Sequence, residues 1–235
     1  MNIKTDIIKS NYTDILKRVS NACRESGRSL DEITIIAVTK TVGLEEIDIL
    51  TSIGIVNFGE NRIQDAEKKI PLCRTNSPEN WHMIGHLQAN KAKKAVKMFG
   101  TIHSVDSINL AAVINAEAAK AGLKVSVLIQ ANTSREPSKH GIRPENMPDF
   151  MQQILKFDRL IIRGLMTMGP LTPDPEDARP CFMELRNCFN KIKNSLPDGN
   201  SFECLSMGMS HDYEIAIQEG ATMLRIGTAF FKGLN

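Results

Sequence analysis

Along this chain the spacing of apolar residues switches repeatedly between three-to-four and short unbroken runs. Residues 1 to about 27 place Ile8, Tyr12, Ile15, Val19 and Cys23 on one stripe, which predicts an amphipathic helix stopped by Gly27. Residues 33–40, ITIIAVTK, then hold six β-branched residues in eight, apolar toward both faces. That predicts a strand covered on both sides, closed by Lys40. A helix over 43–53, with Glu45 and Glu46 in its first turn, leads to a second strand over 55–59 and a helix to about Lys69, broken by Pro71.

The unit repeats. Strands are predicted over 81–85, 101–105, 124–130, 160–166, 202–206 and 222–226, with helices over 87–99, 107–121, up to 157, 176–196 and 212–219. A long polar loop, 132–141, interrupts the rhythm after strand five. Eight strands, seven of them followed by a clear helix and no linker between, predict an α/β fold: a (β/α)8 TIM barrel forming one domain, 1–235. A doubly wound open sheet is the rival. Seven residues follow Thr228, too few for a full eighth helix, so the N-terminal helix is expected to cover the barrel there.

Composition narrows the function classes. At 235 residues and 42% hydrophobic content the chain supplies an ordinary globular core. No apolar run approaches the roughly 20 residues that span a bilayer, and the start, MNIKTD, is too polar for a signal peptide, so a cytoplasmic protein without a membrane partner is expected. The five cysteines (Cys23, Cys73, Cys181, Cys188, Cys204) are scattered and form no CxxC pair, which argues for reduced packing residues. A net charge of +2 implies no nucleic-acid partner. Lys91, Lys93, Lys94 and Lys97 read as the solvated face of a helix.

Chemistry is expected at the C-terminal strand ends. There the Lys40 ammonium is expected to lose hydration, which lowers its pKa and exposes a nucleophilic amine for Schiff-base formation. After strand seven comes Ser206-Met207-Gly208-Met209-Ser210, and after strand eight Gly227-Thr228-Ala229, where glycines admit close backbone approach and amides and hydroxyls can donate to phosphate. Arg225 shares an inward face with Gly227. An amine and a phosphate site together fit pyridoxal 5′-phosphate (PLP), and fit equally an aldolase acting on a phosphorylated sugar.

The strings AVTK (37–40), FGEN (58–61), WHMIGHLQANK (81–91), SKHGI (138–142), RGLM (163–166), LSMGMSHDYEIAI (205–217) and RIGTAFF (225–231) resemble the YggS/PROSC family of PLP homeostasis proteins over nearly the whole chain. The resemblance implies a fold-type III PLP barrel, like the barrel half of alanine racemase, with Lys40 as the Schiff-base lysine. It further implies that Ser206, Gly208, Met209, Gly227 and Thr228 surround the phosphate. Arg225 would lie near the pyridine nitrogen or the phosphate, and Asn61, His82 and Met166 would line the pocket. Three positions depart from the family pattern. Met83 stands where an aromatic residue is common, His86 where some members carry proline, and His211 where an acidic or small residue is usual. Lone loop histidines are ordinarily solvated or hydrogen-bonded structure, and His82 with His86 lacks a third ligand, so no metal site is expected.

Two functions follow from that resemblance. One is a protein that buffers or delivers PLP, with PLP-dependent apoenzymes as recipients, as a monomer and without turnover. The other is a fold-type III amino-acid racemase, whose second base in alanine racemase-like enzymes is a tyrosine from a separate β-domain of the partner subunit; this chain has Tyr12 and Tyr213 in all. The Schiff-base aldolase remains a third reading.

Overall fold

The computed structural model describes residues 3–136 and 139–234. Eight parallel strands close into a barrel in chain order: β1 (Thr34–Val38), β2 (Phe58–Glu60), β3 (Trp81–Met83), β4 (Thr101–Val105), β5 (Val125–Gln130), β6 (Leu160–Met166), β7 (Cys204–Met209) and β8 (Met223–Ile226). β8 pairs back onto β1, Ile36 lying opposite Arg225, which excludes the open sheet. The α-helices are α1 (Ile3–Glu25), α2 (Leu44–Ser52), α3 (Ile63–Lys69), α4 (Ala92–Met98), α5 (Ile108–Ala121), α6 (Met147–Ile154), α7 (Arg179–Lys193) and α8 (Tyr213–Gln218). Ser107 caps α5 by accepting from the Leu110 amide, which starts the helix where the alanine-rich run begins.

α1 fills the place of a helix after β8. It packs against α8 on one side and α2 on the other. Ile8 and Val19 are fully buried and Ile15 nearly so, each removal from water contributing roughly 1.5–3 kcal/mol. Tyr12 stacks on Phe230, and Asn11 Nδ2 donates to the carbonyls of Phe230 and Lys232, both at 2.9 Å. Lys4 pairs with Glu46 on α2 and Arg18 with Glu214 on α8. These exposed pairs set orientation more than stability.

The strand ends differ from the sequence expectation where backbone crowding intervenes. Strand three stops at Met83, and just beyond it the chain passes so close to Asn61 that a side chain on Gly85 would lie 2.3 Å from the Asn61 carbonyl oxygen. Strand seven begins two residues later than its pattern suggests and runs on to Met209, so Ser206, Gly208 and Met209 belong to the strand and not to the loop beyond it. Its register shifts against β8 between Ser206 and Met209. Gly208, at φ +92°, makes that shift possible, and a Cβ there would sit 2.6 Å from the Ala216 Cβ.

The core has two layers. Phe58 and Trp81 head the layer between strands and helices, while Leu128, Met166 and Cys204 fill the barrel with Met168 and Met223. All five cysteines are buried and free. Lys93, Lys94 and Lys97 form the exposed face of α4, as their spacing predicts, and Lys94 pairs with Glu67 on α3.

Candidate functional site

The C-terminal mouth of the barrel gathers Lys40, the β7–α8 turn and the segment after β8. β1 ends at Val38. Thr39 is still fully buried, donating its amide to Gly59 at 3.0 Å and its hydroxyl to Glu60 Oε1 at 2.7 Å. Lys69, on α3, closes this knot: Nζ donates to the Thr39 carbonyl at 2.7 Å and to Glu60 Oε1 at 2.9 Å. The backbone that delivers Lys40 is therefore clamped on the outer side of β1. Lys40 itself lies past the strand, in a turn, and is exposed. The expectation that strand burial desolvates this amine is corrected: the last buried residue is Thr39, and the turn carries Lys40 beyond the packed layer.

Beside it, on the strands that close the barrel against β1, the β7–α8 turn meets the segment after β8. Ser210 Oγ accepts the amides of Gly227, at 3.1 Å, and of Ala229, at 3.2 Å. Two N–H groups thus converge on one oxygen, the geometry of a small anion nest. Asp212 Oδ1 accepts the Met209 amide at 2.6 Å and fixes the turn from below. Burial raises the Asp212 pKa, an effect opposed by the Met209 amide and by Arg225. Thr228 is exposed, and Gly227, Met209 and Ser210 are half-buried, so all four are accessible at the mouth.

Beneath this rim a hydrogen-bonded chain crosses the barrel. Arg225 Nη1 donates to Ser206 Oγ at 2.6 Å and Nη2 to the Thr167 carbonyl at 2.8 Å. Ser206 meets His103 Nδ1 at 3.0 Å, His103 Nε2 meets His82 Nδ1 at 2.9 Å, and His82 Nε2 meets Asn57 Oδ1 at 3.1 Å. Burial lowers the His82 pKa to about 4, and burial, then His82 and Arg225, push that of His103 well below its usual value, so both rings are neutral at pH 7. With Asn57 Oδ1 assigned as an acceptor, one tautomer set satisfies every link. His82 carries its proton on Nε2, His103 also on Nε2, and the Ser206 hydroxyl donates to His103 while accepting from Arg225. Burial lowers the Arg225 pKa to about 10, with Asp212 opposing, which leaves the guanidinium charged.

The residues expected from the sequence thus fall at two depths. Lys40, Asn61, Met209, Gly227 and Thr228 are exposed or half-buried, whereas His82, Met166, Ser206, Gly208 and Arg225 are buried. The Ser206 hydroxyl is committed to His103 and Arg225; the serine on the rim is Ser210. His103 and Asn57 lie in no sequence motif, and although Thr39 and Glu60 stand in the AVTK and FGEN strings, their link through Lys69 has no local signal. His211 Nε2 donates to the Pro173 carbonyl, 3.0 Å away, the structural part expected of it. His82 and His86 do not come together: His82 is inside the barrel, and His86 stands on the rim beside Asp106 and His140. Of the SKHGI string, Ser138 lies outside the described residues; Lys139 donates to the Gly169 carbonyl at 3.1 Å.

Comparison with known proteins fits this arrangement. Residues 8–235 match the family model described as alanine racemase, N-terminal domain. The pyridoxal phosphate homeostasis protein of Aquifex aeolicus is 38% identical over 217 residues, 92% of this chain and 94% of that protein. The chain belongs to the pyridoxal phosphate homeostasis family. A solved structure similar to it is that of PipY of Synechococcus elongatus with PLP bound, 32% identical, with a TM-score of 0.79 over 92% of this chain and 99% of PipY. Alanine racemase of Clostridium difficile, 16% identical with a TM-score of 0.73 over 96% of this chain and 56% of the racemase, shares the barrel fold. Among the described residues no helix is long and apolar enough to cross a membrane.

Proposed function

We propose that this protein holds PLP at the mouth of its barrel, covalently on Lys40, and serves vitamin B6 homeostasis by keeping and releasing the cofactor for PLP-dependent apoenzymes, as a monomer and without turning over a substrate. One observation carries the reading. An accessible amine and a pair of convergent amides open on the same end of a barrel similar to that of PipY, solved with PLP bound. The donor set suits a phosphate: the Gly227 and Ala229 amides converge on one point, held here by Ser210 Oγ, which a phosphate oxygen would take over, and Thr228 adds an exposed hydroxyl beside them.

When bound, the cofactor supplies an aldehyde that condenses reversibly with an amine. The chain's own residues do the rest. Gly208, Met209, Gly227 and Thr228 would shape and line the phosphate end, whose two segments Ser210 Oγ holds together before a phosphate takes its place. Arg225 would offer a fixed positive charge beneath the rim, anchored by Ser206 and the Thr167 carbonyl. Met166 and His82 form the floor, and Asn61 the rim. Both tyrosines support holding over racemisation: Tyr12 is stacked on Phe230, and Tyr213 is buried under α1 with the Arg18 guanidinium 4.9 Å above its ring. Neither is placed to serve as a second base at the mouth.

Equilibrium titration with PLP and with pyridoxal, followed by visible absorption, tests this. Thr228→Val removes one donor and keeps the shape, so PLP binding is expected to weaken about tenfold, roughly 1.4 kcal/mol, with pyridoxal unaffected. Equal losses for both aldehydes would make Thr228 a shaping residue. A wild-type protein that develops no visible band with PLP would overturn the reading.

A further inference from the structure

Three loops that belong to neither the phosphate end nor Lys40 meet on the far rim of the mouth. His86 follows β3, Asp106 follows β4, and His140 lies in the long loop after β5. Both imidazoles turn Nδ1 toward the same carboxylate oxygen, Asp106 Oδ2: His86 at 3.3 Å and His140 at 3.6 Å. One ligand atom from each residue lies within 4.8 Å of the other two. The side chains of His86 and His140 are 42% and 55% exposed and that of Asp106 is 12% exposed, so the cluster is anchored by its acid and open to solvent.

The distances discriminate between two explanations. Hydrogen bonds from imidazole to carboxylate run at roughly 2.7–3.2 Å, so neither contact is a good one. An ion held tetrahedrally at about 2.0–2.2 Å from each ligand sets neighbouring ligand atoms about 3.3–3.6 Å apart. Both histidine–aspartate spacings match the second. Side-chain amides hold the loop that brings His140: Gln130 Nε2 donates to the His140 carbonyl at 3.1 Å, and Asn132 Nδ2 to the Lys139 carbonyl at 2.9 Å. The two rings are stacked, with centroids 3.9 Å apart and planes at 14°, and a shared ion requires one of them to swing open. Their exposure permits that rotation without moving the backbone.

We propose that His86, Asp106 and His140 bind a divalent transition metal ion, tying the loops after β3, β4 and β5 together at the rim. Two imidazoles and one carboxylate select Zn²⁺, Co²⁺ or Ni²⁺ over Mg²⁺ and Ca²⁺, which prefer all-oxygen sites. Three protein ligands leave at least one coordination position to water or to an exchangeable ligand. The site is separate from Lys40 and the phosphate end, and the proposal stands whether or not the cofactor reading does.

The test is titration of the full-length protein with Co²⁺, read by its visible ligand-field absorption, followed by displacement with Zn²⁺. The expected result is saturable binding of one ion per chain, weakened at least about 100-fold in His140→Ala and in His86→Ala, more than the loss of an outer-shell partner would cause. His211→Ala, at a histidine away from the cluster, is expected to bind as the wild type does. Asp106 is partly buried, so its replacement is not relied on; the two histidines are exposed, and circular dichroism verifies that their variants fold. No saturable binding below about millimolar Co²⁺, or binding that survives both histidine variants, would overturn the proposal.

Discussion

Lys69→Met is the most informative single change to the knot that carries Lys40. In the native protein Lys69 Nζ neutralises Glu60, whose carboxylate is fully buried, and holds the Thr39 carbonyl one residue before Lys40. Methionine keeps the length of the side chain and removes the charge. Glu60 would then keep one hydrogen bond, from the Thr39 hydroxyl, while Oε2 already has no partner among the described residues. Breaking a buried pair by removing one member costs about 3–5 kcal/mol. The Lys69 side chain is 16% exposed, which places the expected cost near the lower end, about 3 kcal/mol. For a chain of this size that is a fall of roughly 6–12 °C in melting temperature. The double variant Glu60→Gln/Lys69→Met buries no charge and is expected to recover most of the loss. Thermal unfolding followed by circular dichroism measures both. A melting temperature within about 2 °C of wild type for Lys69→Met, or a double variant no more stable than the single one, would show that the pair does not hold this end of β1.

Two further outcomes follow from the packing and the buried histidines. Ile8→Ala, at a fully buried position of α1, is expected to cost about 2–5 kcal/mol in denaturant unfolding; a loss below about 1 kcal/mol would mean that α1 is not integral to the barrel. His82 and His103 have folded pKa values below the roughly 6.5 of the unfolded chain, His82 at about 4, so the unfolded state binds more protons between those limits. Stability should therefore fall as pH drops from about 6.5 toward 4, and unfolding midpoints that stay level over that interval would contradict the assigned neutral rings.

The barrel was legible because each strand and helix announces itself locally. β-branched runs mark strands buried on both faces, and the α1 stripe of Ile8, Ile15 and Val19 marks a helix with one covered side. That α1 packs on the barrel was legible too, because its stripe needs a covering partner. The site was only partly so. Lys40 and the glycine-bearing segments around Gly208 and Gly227 stand out because their chemistry is written in adjacent residues. The exposure of Lys40 was missed because a strand pattern does not say which residue starts the turn. The depth of Ser206 was missed because the end of β7 depends on a register shift at Gly208, a tertiary event. His103 sits in β4 between Ile102 and Ser104 with nothing to distinguish it from any strand residue, and its partners lie 21 and 103 positions away in the chain. The same holds for His86, Asp106 and His140, which only barrel closure brings to one rim.

The attachment of the cofactor to Lys40 is the central claim, and borohydride reduction of the PLP-loaded protein followed by peptide mapping tests it most directly. The account predicts that the reduced adduct is found on the peptide containing Lys40, in nearly one copy per chain, and that Lys40→Ala retains no reducible adduct. Recovery of the adduct mainly on another lysine, such as Lys139, or its persistence in Lys40→Ala, would contradict it.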